Sequence, residues 1–481
     1  MKKHIYISIL LVALAQGAIA QKNTSLYFME TVPQSISLNP ALQPRANSFI
    51  AVPATNIFID LETNITVKNL LQKKGNNWVT PIDNDFDYST LHKVFKNGAR
   101  INTDINSEIA NFGWRSKNGY WSFGIKERVD ANITLPSAIF KIVDNGLPSG
   151  TQLDFTNLNV SFNAFHEISA AYSHKLTENL TIGARAKYLS GIMGVKTEIS
   201  KFNIETSRDL WDVNVDAQMH VSMPIDFKEN EKGEVDLDSL DLGDMPKKDI
   251  VKRLIPSFKN PGLGFDFGAE YTINDNFKVA ASVTDLGFIL WSNSHALDLK
   301  GAYSYDGIDV EIRDFDNVDF NEALTELTDS LKSCVSATIK KSSFATSLYP
   351  NIYIGGEYTP NHFLSIGLLS HSSIVKKRFI QDFSLSVNLK PYKMYSVVLG
   401  FNANTKGYCS ANTGFSVNFG ALQFYLMADY IPINYQKIKV KEDKLILPHS
   451  CTDLNLSFGF NILMGQKGYK DKTMLNTQSS I

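Results

Sequence analysis

Nucleophilic catalysis needs a hydroxyl or thiol beside a base, and one such pair stands out in this sequence. His371 and Ser373 are two residues apart, so they share one face of a strand, a spacing that a His–Ser hydrolase pair could use. No third residue nearby in the sequence would orient the imidazole. Serine is also frequent in this chain. We therefore interpret the pair as polar side chains at a strand end and expect that the protein is not an enzyme.

The histidines, cysteines and acidic stretches give no pattern that is specific for a metal or a cofactor. The histidines lack His-x-x-x-His spacing, and the three cysteines lack Cys-x-x-Cys spacing. Two acidic stretches suggest calcium, but neither has the residue order of an EF-hand loop. We interpret them as solvated loops, with divalent bridging to lipopolysaccharide as the alternative. They comprise Asp236, Asp238, Asp241 and Asp244, and Asp309, Asp314, Asp316 and Asp319.

The first twenty residues have the composition of a secretory signal peptide. Lys2 and Lys3 precede an apolar run from residue 5 to 15, and small residues end at Ala20, which predicts cleavage before Gln21. The run is shorter than the ~20 apolar residues of a spanning helix, and no later stretch approaches that length. If the mature chain lies in a membrane, strands must place it there.

The composition favours a strand-rich chain whose strands have two kinds of face. Hydrophobic residues make up 43% and aromatic residues 11% of the sequence, as in barrels that alternate lipid-facing and water-facing side chains. A soluble β-sandwich could share this composition. Lys and Arg number 47 against 49 Asp and Glu, so charge gives no reason to expect nucleic acid as a partner.

Segments of about ten residues with strict alternation recur along the chain, each followed by a turn. Such segments begin near residues 121, 182, 395, 413 and 422. The last segment is the clearest. Its apolar face comprises Leu454, Leu456, Phe458, Phe460 and Ile462, and its polar face comprises Asn455, Ser457, Gly459 and Asn461.

The connections distinguish a membrane barrel from a sandwich, because outer-membrane barrels have short periplasmic turns and long outer loops. The tight turns are 116–119, 177–179, 274–276, 359–362, 390–393 and 418–421. The longer connections are 61–100, 134–164, 201–260, 292–349, 373–378, 405–410 and 432–451. Their alternation predicts an all-β fold, a transmembrane antiparallel up-and-down β-barrel of about fourteen strands, with both chain ends in the periplasm.

Segments 208–226 and 296–312 also resemble strands, and counting both as spanning gives the alternative of about sixteen. We prefer fourteen, with these two segments extending above the membrane. Short helices are predicted in the outer loops, at 88–95, 137–143, 248–254 and 321–334. Cys409 and Cys451 would lie three strands apart, so we expect two thiols and not a disulfide.

Six aromatic residues are predicted near strand ends, where girdles of Trp and Tyr anchor barrels at the membrane interfaces. They are Trp114, Trp121, Trp291, Tyr408, Tyr425 and Tyr430.

Three short stretches resemble known outer-membrane barrels. Asn39, Pro40 and Ala41, within Ser37-Leu-Asn-Pro-Ala-Leu42, are similar to the Asn-Pro-Ala motif in the N-terminal hatch of FadL-type fatty-acid transporters. The stretches 166–191 and 268–291 look like those of an uncharacterised family of Gram-negative outer-membrane barrels related to FadL and to the secretion-associated barrel PorV. The resemblance implies a fourteen-stranded barrel with a lumen hatch, and implies binding roles for Asn39, Pro40 and Ala41 alone.

The expected organisation is a signal peptide at 1–20, a periplasmic or lumen hatch at 21–46, an outer-membrane barrel at 47–465 and a periplasmic tail at 466–481. The resemblance to FadL implies passive uptake or export of a small hydrophobic or amphiphilic ligand through a hatch-gated lumen. The resemblance to PorV implies the alternative, a non-transporting scaffold for a secretion or surface-assembly partner. Outer-membrane lipids, lipopolysaccharide and the barrel-assembly machinery are expected partners, and no cofactor or metal is expected.

Overall fold

The structure is a computed structural model that describes most of the chain between residues 23 and 466. The described residues are 23–75, 77–81, 83, 85–145, 148–207, 211–223, 256, 258–305, 338–375, 378–392, 394–405, 407–440, 443–448 and 452–466.

Helices in the described residues are few and short. They are α1 (Thr24–Tyr27), a 3₁₀ helix (Pro33–Ser37), α2 (Val67–Leu70), α3 (Tyr88–Val94) and α4 (Ser137–Asn145). None of the described helices is long and apolar enough to cross a membrane.

Strands make up most of the described chain. They are β1 (Ala46–Ala51), β2 (Asn56–Thr63), β3 (Gln72–Lys74), β4 (Asn77–Val79), β5 (Ala99–Arg115), β6 (Gly119–Leu135), β7 (Gln152–Asp154), β8 (Asn159–Lys175), β9 (Leu180–Thr206), β10 (Trp211–Ser222), β11 (Pro261–Asn274), β12 (Phe277–Tyr305), β13 (Thr338–Ser347), β14 (Asn351–Asn361), β15 (Leu364–Val375), β16 (Arg378–Tyr392), β17 (Tyr395–Asn404), β18 (Cys409–Phe419), β19 (Leu422–Pro432), β20 (Tyr435–Val440), β21 (Asp443–Pro448) and β22 (Asp453–Gln466).

The strands close into an antiparallel barrel of 14 strands, as predicted. The spanning strands pair with their neighbours in chain order, whereas β3–β4 and β20–β21 form separate hairpins. β22 closes the ring by pairing with β19 on one side and with β1 and β2 on the other. β1 and β2 together form the first strand, which is interrupted at residues 52–55. β13 and β14 likewise follow one another along β12.

All six predicted tight turns lie at one end of the barrel, which we call the tight-turn end. The turn at 116–119, for example, is closed by a hydrogen bond of 2.8 Å from the Ser116 amide to the Gly119 carbonyl. At 177–179 the Thr177 hydroxyl accepts the Leu180 amide at 3.0 Å. The longer connections lie at the other end, the loop end. Local turn chemistry therefore predicted the alternation of the two ends correctly.

The count of fourteen strands, and not sixteen, follows from how β10 pairs. β11 pairs with the first part of β9 and β12, at residues 180–190 and 277–289. β10 pairs with their later parts, at 194–206 and 295–305. Thus β10 and the far half of β12 extend the barrel wall at the loop end and add no spanning strand.

The barrel has apolar side chains outside and polar side chains inside, as the alternation of the sequence indicates. On β22, Phe460 and Ile462 are exposed outward, whereas Asn455, Ser457 and Asn461 are buried inside. This arrangement is the reverse of a soluble core, and it fits a surface that contacts lipid.

The aromatic prediction is only partly correct. Trp114 and Trp121 are exposed on the outer face near the tight-turn end, as expected of a girdle. Trp291, Tyr425 and Tyr430 are buried, so their assignment to a girdle was wrong. Trp291, for instance, packs on Phe344 and donates its indole N–H to Thr346. Distance from a strand end does not fix the face on which a side chain lies.

The loops agree with the predictions where they are described. α3 and α4 match the helices predicted at 88–95 and 137–143 and pack together through Phe95 and Phe140. The predicted loop 432–451 contains a hairpin, β20–β21. The helices predicted at 248–254 and 321–334, both acidic stretches, Cys334 and Cys451 lie outside the described residues. Cys409 is exposed at the start of β18.

Candidate functional site

Residues 23–45, which we call the inner segment, lie inside the barrel. Its side chains and backbone bond to strands on every side of the ring. These contacts include Thr24 with Asn402 and Asn412, Gln34 with Glu108 and Asn461, Thr31 with Gln423, and Leu38 with Ser282. The inner segment therefore fills the lumen at this level.

An apolar cluster also joins the inner segment to the wall. Leu26, Phe28 and Met29 are among the inner-segment members, and they are almost completely buried. The wall contributes Tyr353, Leu369, Val398, Tyr425 and Met427. Burial of apolar surface stabilises this contact at about 25 cal/mol per Å². The inner segment is thus held by both apolar packing and hydrogen bonds.

Asn39 is fully buried and organises the Asn-Pro-Ala sequence within the inner segment. Its side-chain oxygen accepts the Ala41 amide at 2.9 Å, and its amide nitrogen donates to the Tyr27 hydroxyl at 3.0 Å. The same nitrogen faces the main-chain carbonyls of Ala269 and Ala281, at 3.5 and 3.4 Å. Burial raises the pKa of Tyr27 to about 12, so its hydroxyl stays neutral at ordinary pH.

Two glycines of the wall form the seat on which Asn39 and Pro40 rest. Gly183 of β9 and Gly268 of β11 are directly opposite each other. A Cβ atom on Gly183 would overlap the Pro40 carbonyl, and one on Gly268 would overlap the Asn39 side chain. Sequence reasoning missed both residues, although glycine on the lumen face of a strand signals close approach of another backbone.

Ser282 extends this seat onto a third strand. It lies opposite Gly268 on β12, and its hydroxyl donates to the Leu38 carbonyl at 2.7 Å. The seat therefore accepts residues 38–40 by shape and by one buried hydrogen bond.

Arg185 of β9 ties the 3₁₀ helix to the wall. Its guanidinium donates to the carbonyls of Ile36 and Ser37, at 2.8 and 3.4 Å, and pairs with Asp266 at 3.0 Å. A cation near the last carbonyls of a helix satisfies acceptors that have no partner within the helix. Because Arg185 is almost completely buried, its loss would leave these groups without a donor.

The charges continue along the same wall as a paired network. Lys187 contacts Asp266 and Asp285, at 2.7 and 2.6 Å. Arg128 contacts Asp285, Glu167 and Asp104, at 2.9, 3.1 and 3.1 Å. Asp285 adopts a positive φ of 60°, and its amide donates to Asp266 at 2.8 Å. The cations of this wall are thus bound by carboxylates of the neighbouring strands.

A second set of charges fixes the inner segment at the tight-turn end. The Glu30 carboxylate bonds to Arg45 and contacts Lys390 at 3.1 Å. Burial alone would raise the pKa of Glu30, but the positive charges of Lys390, Arg45 and Lys278 outweigh it and lower the pKa below its ordinary value. Glu30 is therefore ionised at neutral pH.

A cavity of about 290 Å³ lies below the inner segment at the tight-turn end. Charged residues of both signs line it, including Glu30, Arg45, Arg115, Glu270 and Lys278. The lumen next to the inner segment is thus polar here.

The wall between β2 and β5 has few ladder pairs, and we call it the seam. β2 pairs with β22 over six consecutive positions, at residues 57–62. Within the same described strand, β2 pairs with β5 only at its ends, Asn56 with Glu108 and Thr63 with Ile101. Between these ends the Thr103 hydroxyl donates to the Asp60 carbonyl at 3.3 Å.

The seam lies beside the interruption of the first strand. Pro53 falls in this interruption and can donate no ladder hydrogen bond. Ala54 adopts a positive φ of 56°, which is uncommon for a residue other than glycine. Local sequence therefore bends the first strand next to the stretch that has few ladder pairs with β5.

His371 and Ser373 are both buried in the lumen wall, but their surroundings do not form a hydrolase site. The ring of His371 bonds to Asn351 through Nε2 at 3.0 Å, and its Nδ1 lies 3.6 Å from the Asp382 carboxylate. A carboxylate therefore lies near the imidazole without a hydrogen bond to it, which the sequence did not reveal. The nitrogen that would activate Ser373 is bonded to Asn351 instead.

The described residues contain no group of three or more His, Cys, Asp or Glu side chains placed to hold a metal ion. Fold and site together define a transmembrane β-barrel whose lumen is filled by its own N-terminal segment. The chain belongs to a family of unknown function, DUF5723, which matches residues 40–429. No curated protein matches the chain.

Several solved structures are similar to the chain. The toluene transporter TbuX of Ralstonia pickettii has 9% identity and a TM-score of 0.41, over 91% of this chain and 95% of that one. The toluene transporter TodX of P. putida has 10% identity and a TM-score of 0.41, over 94% and 97%. A FadL homologue of Pseudomonas aeruginosa has 10% identity and a TM-score of 0.42, over 93% and 99%.

Proposed function

We propose that the protein is an outer-membrane barrel of a Gram-negative bacterium that lets a small amphiphilic ligand pass, with the inner segment acting as a hatch. In this proposal the signal peptide is removed after Ala20, the tight-turn end faces the periplasm, and the outer face contacts lipids and lipopolysaccharide. The ligand enters between the outer loops and leaves past the hatch or through the wall.

The seam between β2 and β5 carries this proposal. Unpaired backbone groups in a lipid-facing wall are unfavourable, since each lacks a partner in the hydrocarbon region. A barrel that only displays its loops does not require such a stretch. A barrel with a lateral passage does, because strands that are joined by few ladder bonds separate more easily than fully paired strands.

The polar lumen favours an amphiphilic ligand over a purely hydrophobic one. Its described walls are lined with Asn, Ser and charged side chains, and the cavity of about 290 Å³ is lined with charges. Apolar pockets with few polar groups are typical of sites for hydrophobic ligands.

A disulfide across the seam tests the proposed passage. Continuing the register from Asn56 and Glu108 places Ile59 opposite Ile105, both on the outer face. In a background with Cys334→Ser, Cys409→Ser and Cys451→Ser, we would combine Ile59→Cys with Ile105→Cys. Oxidation should then abolish uptake of the small uncharged aromatic amine 1-N-phenylnaphthylamine by expressing cells, and reduction should restore it.

The matched control places the same cysteine on the fully paired side. Ile59 lies opposite Leu456 of β22, so Ile59→Cys with Leu456→Cys gives a disulfide that leaves the seam free. This pair should retain dye uptake when oxidised. Equal uptake by both oxidised pairs would show that the ligand does not use the seam.

The scaffold alternative has one observation in its favour, the lumen filled by the inner segment. A scaffold would co-purify with a protein that binds the outer loops, whereas a passage would co-purify with a lipid-like molecule. Native mass spectrometry of the purified protein separates these two functions.

A further inference from the structure

Carboxylate and amide side chains form a row across three strands of the lumen wall. Asn455 of β22 lies directly opposite Asp60 of β2 on one side and Asp429 of β19 on the other. All three are completely buried, and all three point into the lumen, because their neighbours Leu454 and Leu456 point outward. We call these three residues the acidic row.

A second pair of acids lies one step nearer the loop end. Glu62 is directly opposite Asp453, again on β2 and β22. Across the seam, the pairing of Thr63 with Ile101 places Asn102 of β5 opposite Glu62. The Tyr430 side chain lies within electrostatic range of Asp60, Asp382, Asp429 and Asp453. Several like charges therefore converge beside the seam.

Two amides among these acids have hydrogen-bonding atoms without partners. Asn455 and Asn102 are at most 1% exposed, and neither the oxygen nor the nitrogen of either side chain has a hydrogen-bond partner. One carboxylate oxygen of Asp429, Oδ1, also lacks a partner. A buried polar atom without a partner is unfavourable by about 1–3 kcal/mol, so these positions favour a molecule that supplies donors.

The chemistry of the row selects the kind of molecule. Carboxylates and amide oxygens accept hydrogen bonds from cations, and a primary ammonium group carries three donors. Asp60 and Asp429 each lie one strand spacing, about 4.8 Å, from Asn455, so an ammonium group above Asn455 faces both carboxyl groups. The described residues hold no group of three or more His, Cys, Asp or Glu side chains suited to a metal ion.

The wall from β6 to β9, on the other side of β5, offers no comparable site. There, Lys126, Arg128, Arg185 and Lys187 are all engaged by carboxylates within 3.6 Å. An anionic ligand would have to displace these ion pairs, whereas a cation at the acidic row displaces none of them. The two walls therefore differ in the sign of the ligand charge that they can accept.

We propose that the acidic row binds the ammonium group of an amine-bearing amphiphile, with Asp60 and Asp429 as acceptors and the Asn455 oxygen between them. This inference rests on the proposed function and names the head group of its ligand. The apolar tail would extend toward the seam, whose outer face is lined by Ile57, Ile59 and Ile105.

The same row is connected to the hatch. The Ser25 amide, in α1, donates to Asp429 Oδ2 at 3.3 Å. An ammonium group that bonds to Asp429 competes with the Ser25 amide for the same carboxyl group. Ligand binding would then weaken a contact that holds the start of the inner segment, which couples occupancy of the row to movement of the hatch.

Calorimetric titration of the full mature protein in lipid nanodiscs tests the proposal. The probes are hexylammonium, hexanol and hexanoate at pH 7, which share a tail and differ in head-group charge. Hexylammonium should bind at least about tenfold more tightly than hexanol, as expected of charge-assisted hydrogen bonds. Hexanoate should bind most weakly.

Variants of the row should remove this preference. Asp60→Asn with Asp429→Asn should weaken hexylammonium binding about tenfold and leave hexanol binding unchanged. Asp298→Asn is the matched control, because Asp298 lies on β12, half of the ring away from β22, where the Gln218 amide donates to it. It should leave binding of both probes unchanged.

A second variant distinguishes a blocked binding site from a protein that has failed to fold. Asn455→Lys places a tethered ammonium group in the row and should block hexylammonium while hexanol still binds. The proposal is overturned if hexylammonium binds no more tightly than hexanol, or if the variants keep the preference for it. If hexanol binds without any preference for the amine, only this inference fails. If no probe binds, the proposed function fails with it.

Discussion

Within the Asn-Pro-Ala sequence, Asn39 is the residue whose side chain forms hydrogen bonds. The sequence alone did not distinguish it from Pro40 and Ala41. Pro40 and Ala41 contribute backbone atoms, whereas the Asn39 side chain bonds to Ala41 and Tyr27. The role of the three residues in a hatch stays a proposal. It can be tested at the level of this one side chain.

Asn39→Ala should loosen the inner segment, because it leaves the Ala41 amide without its acceptor in a buried place. The expected destabilisation of the closed position is about 1–3 kcal/mol. Uptake of 1-N-phenylnaphthylamine by expressing cells should rise. Asn179→Ala, at an exposed position of a tight turn, is the matched control and should not change uptake. Equal uptake by the two variants would show that Asn39 does not hold a hatch.

Two of the places that hold the inner segment respond differently to pH. The seat on Gly183, Gly268 and Ser282 involves no titrating contact, since Tyr27 stays neutral until its raised pKa of about 12. The contact of Glu30 with Arg45 and Lys390 requires an ionised carboxylate. Only the second place can respond to acid.

The direction of this response follows from the lowered pKa of Glu30. A carboxyl group with a lowered pKa in the folded state stabilises that state above its ordinary pKa of about 4.3, and the stabilisation disappears as the pH falls through the folded value. The test uses an Asp429→Asn background, because the Asp429 carboxyl group also contacts the inner segment, through the Ser25 amide. In this background dye uptake should stay constant between about pH 8 and pH 5 and rise only in stronger acid. Adding Glu30→Gln should raise uptake throughout and make it insensitive to pH. A rise in uptake already at about pH 6 in the Asp429→Asn background would contradict this assignment.

A membrane against the outer surface stabilises the whole molecule. The effect of a charged substitution on this surface should therefore depend on how deep in the membrane the substituted residue lies. On β16, Leu385 lies near the middle of the strand and Phe379 near the loop end, both exposed outward. Leu385→Arg should lower the free energy of unfolding in lipid vesicles by about 2–4 kcal/mol, and Phe379→Arg by about 0–1 kcal/mol. Equal effects in denaturant titrations would show that this face does not contact the hydrocarbon region.

The sequence alone determined the barrel, a strand number of fourteen or sixteen, and its two unlike ends. These properties are local: alternation with period two places a strand between lipid and lumen, and turn residues such as Thr177 and Asn274 stop it. The same local reasoning failed for Trp291 and Tyr430, because nearness to a strand end does not reveal which face a side chain occupies.

Tertiary structure decided everything that depends on which strands meet. Arg128 and Asp285 are separated by 157 residues, and Gln34 and Asn461 by 427. Only closure of the ring at β22 brings such pairs together and places Asp60, Asn455 and Asp429 in one row. The seam likewise arises from pairing between strands, a property that no single segment contains. The strand pattern was therefore predictable, whereas the contents of the lumen followed from register and closure.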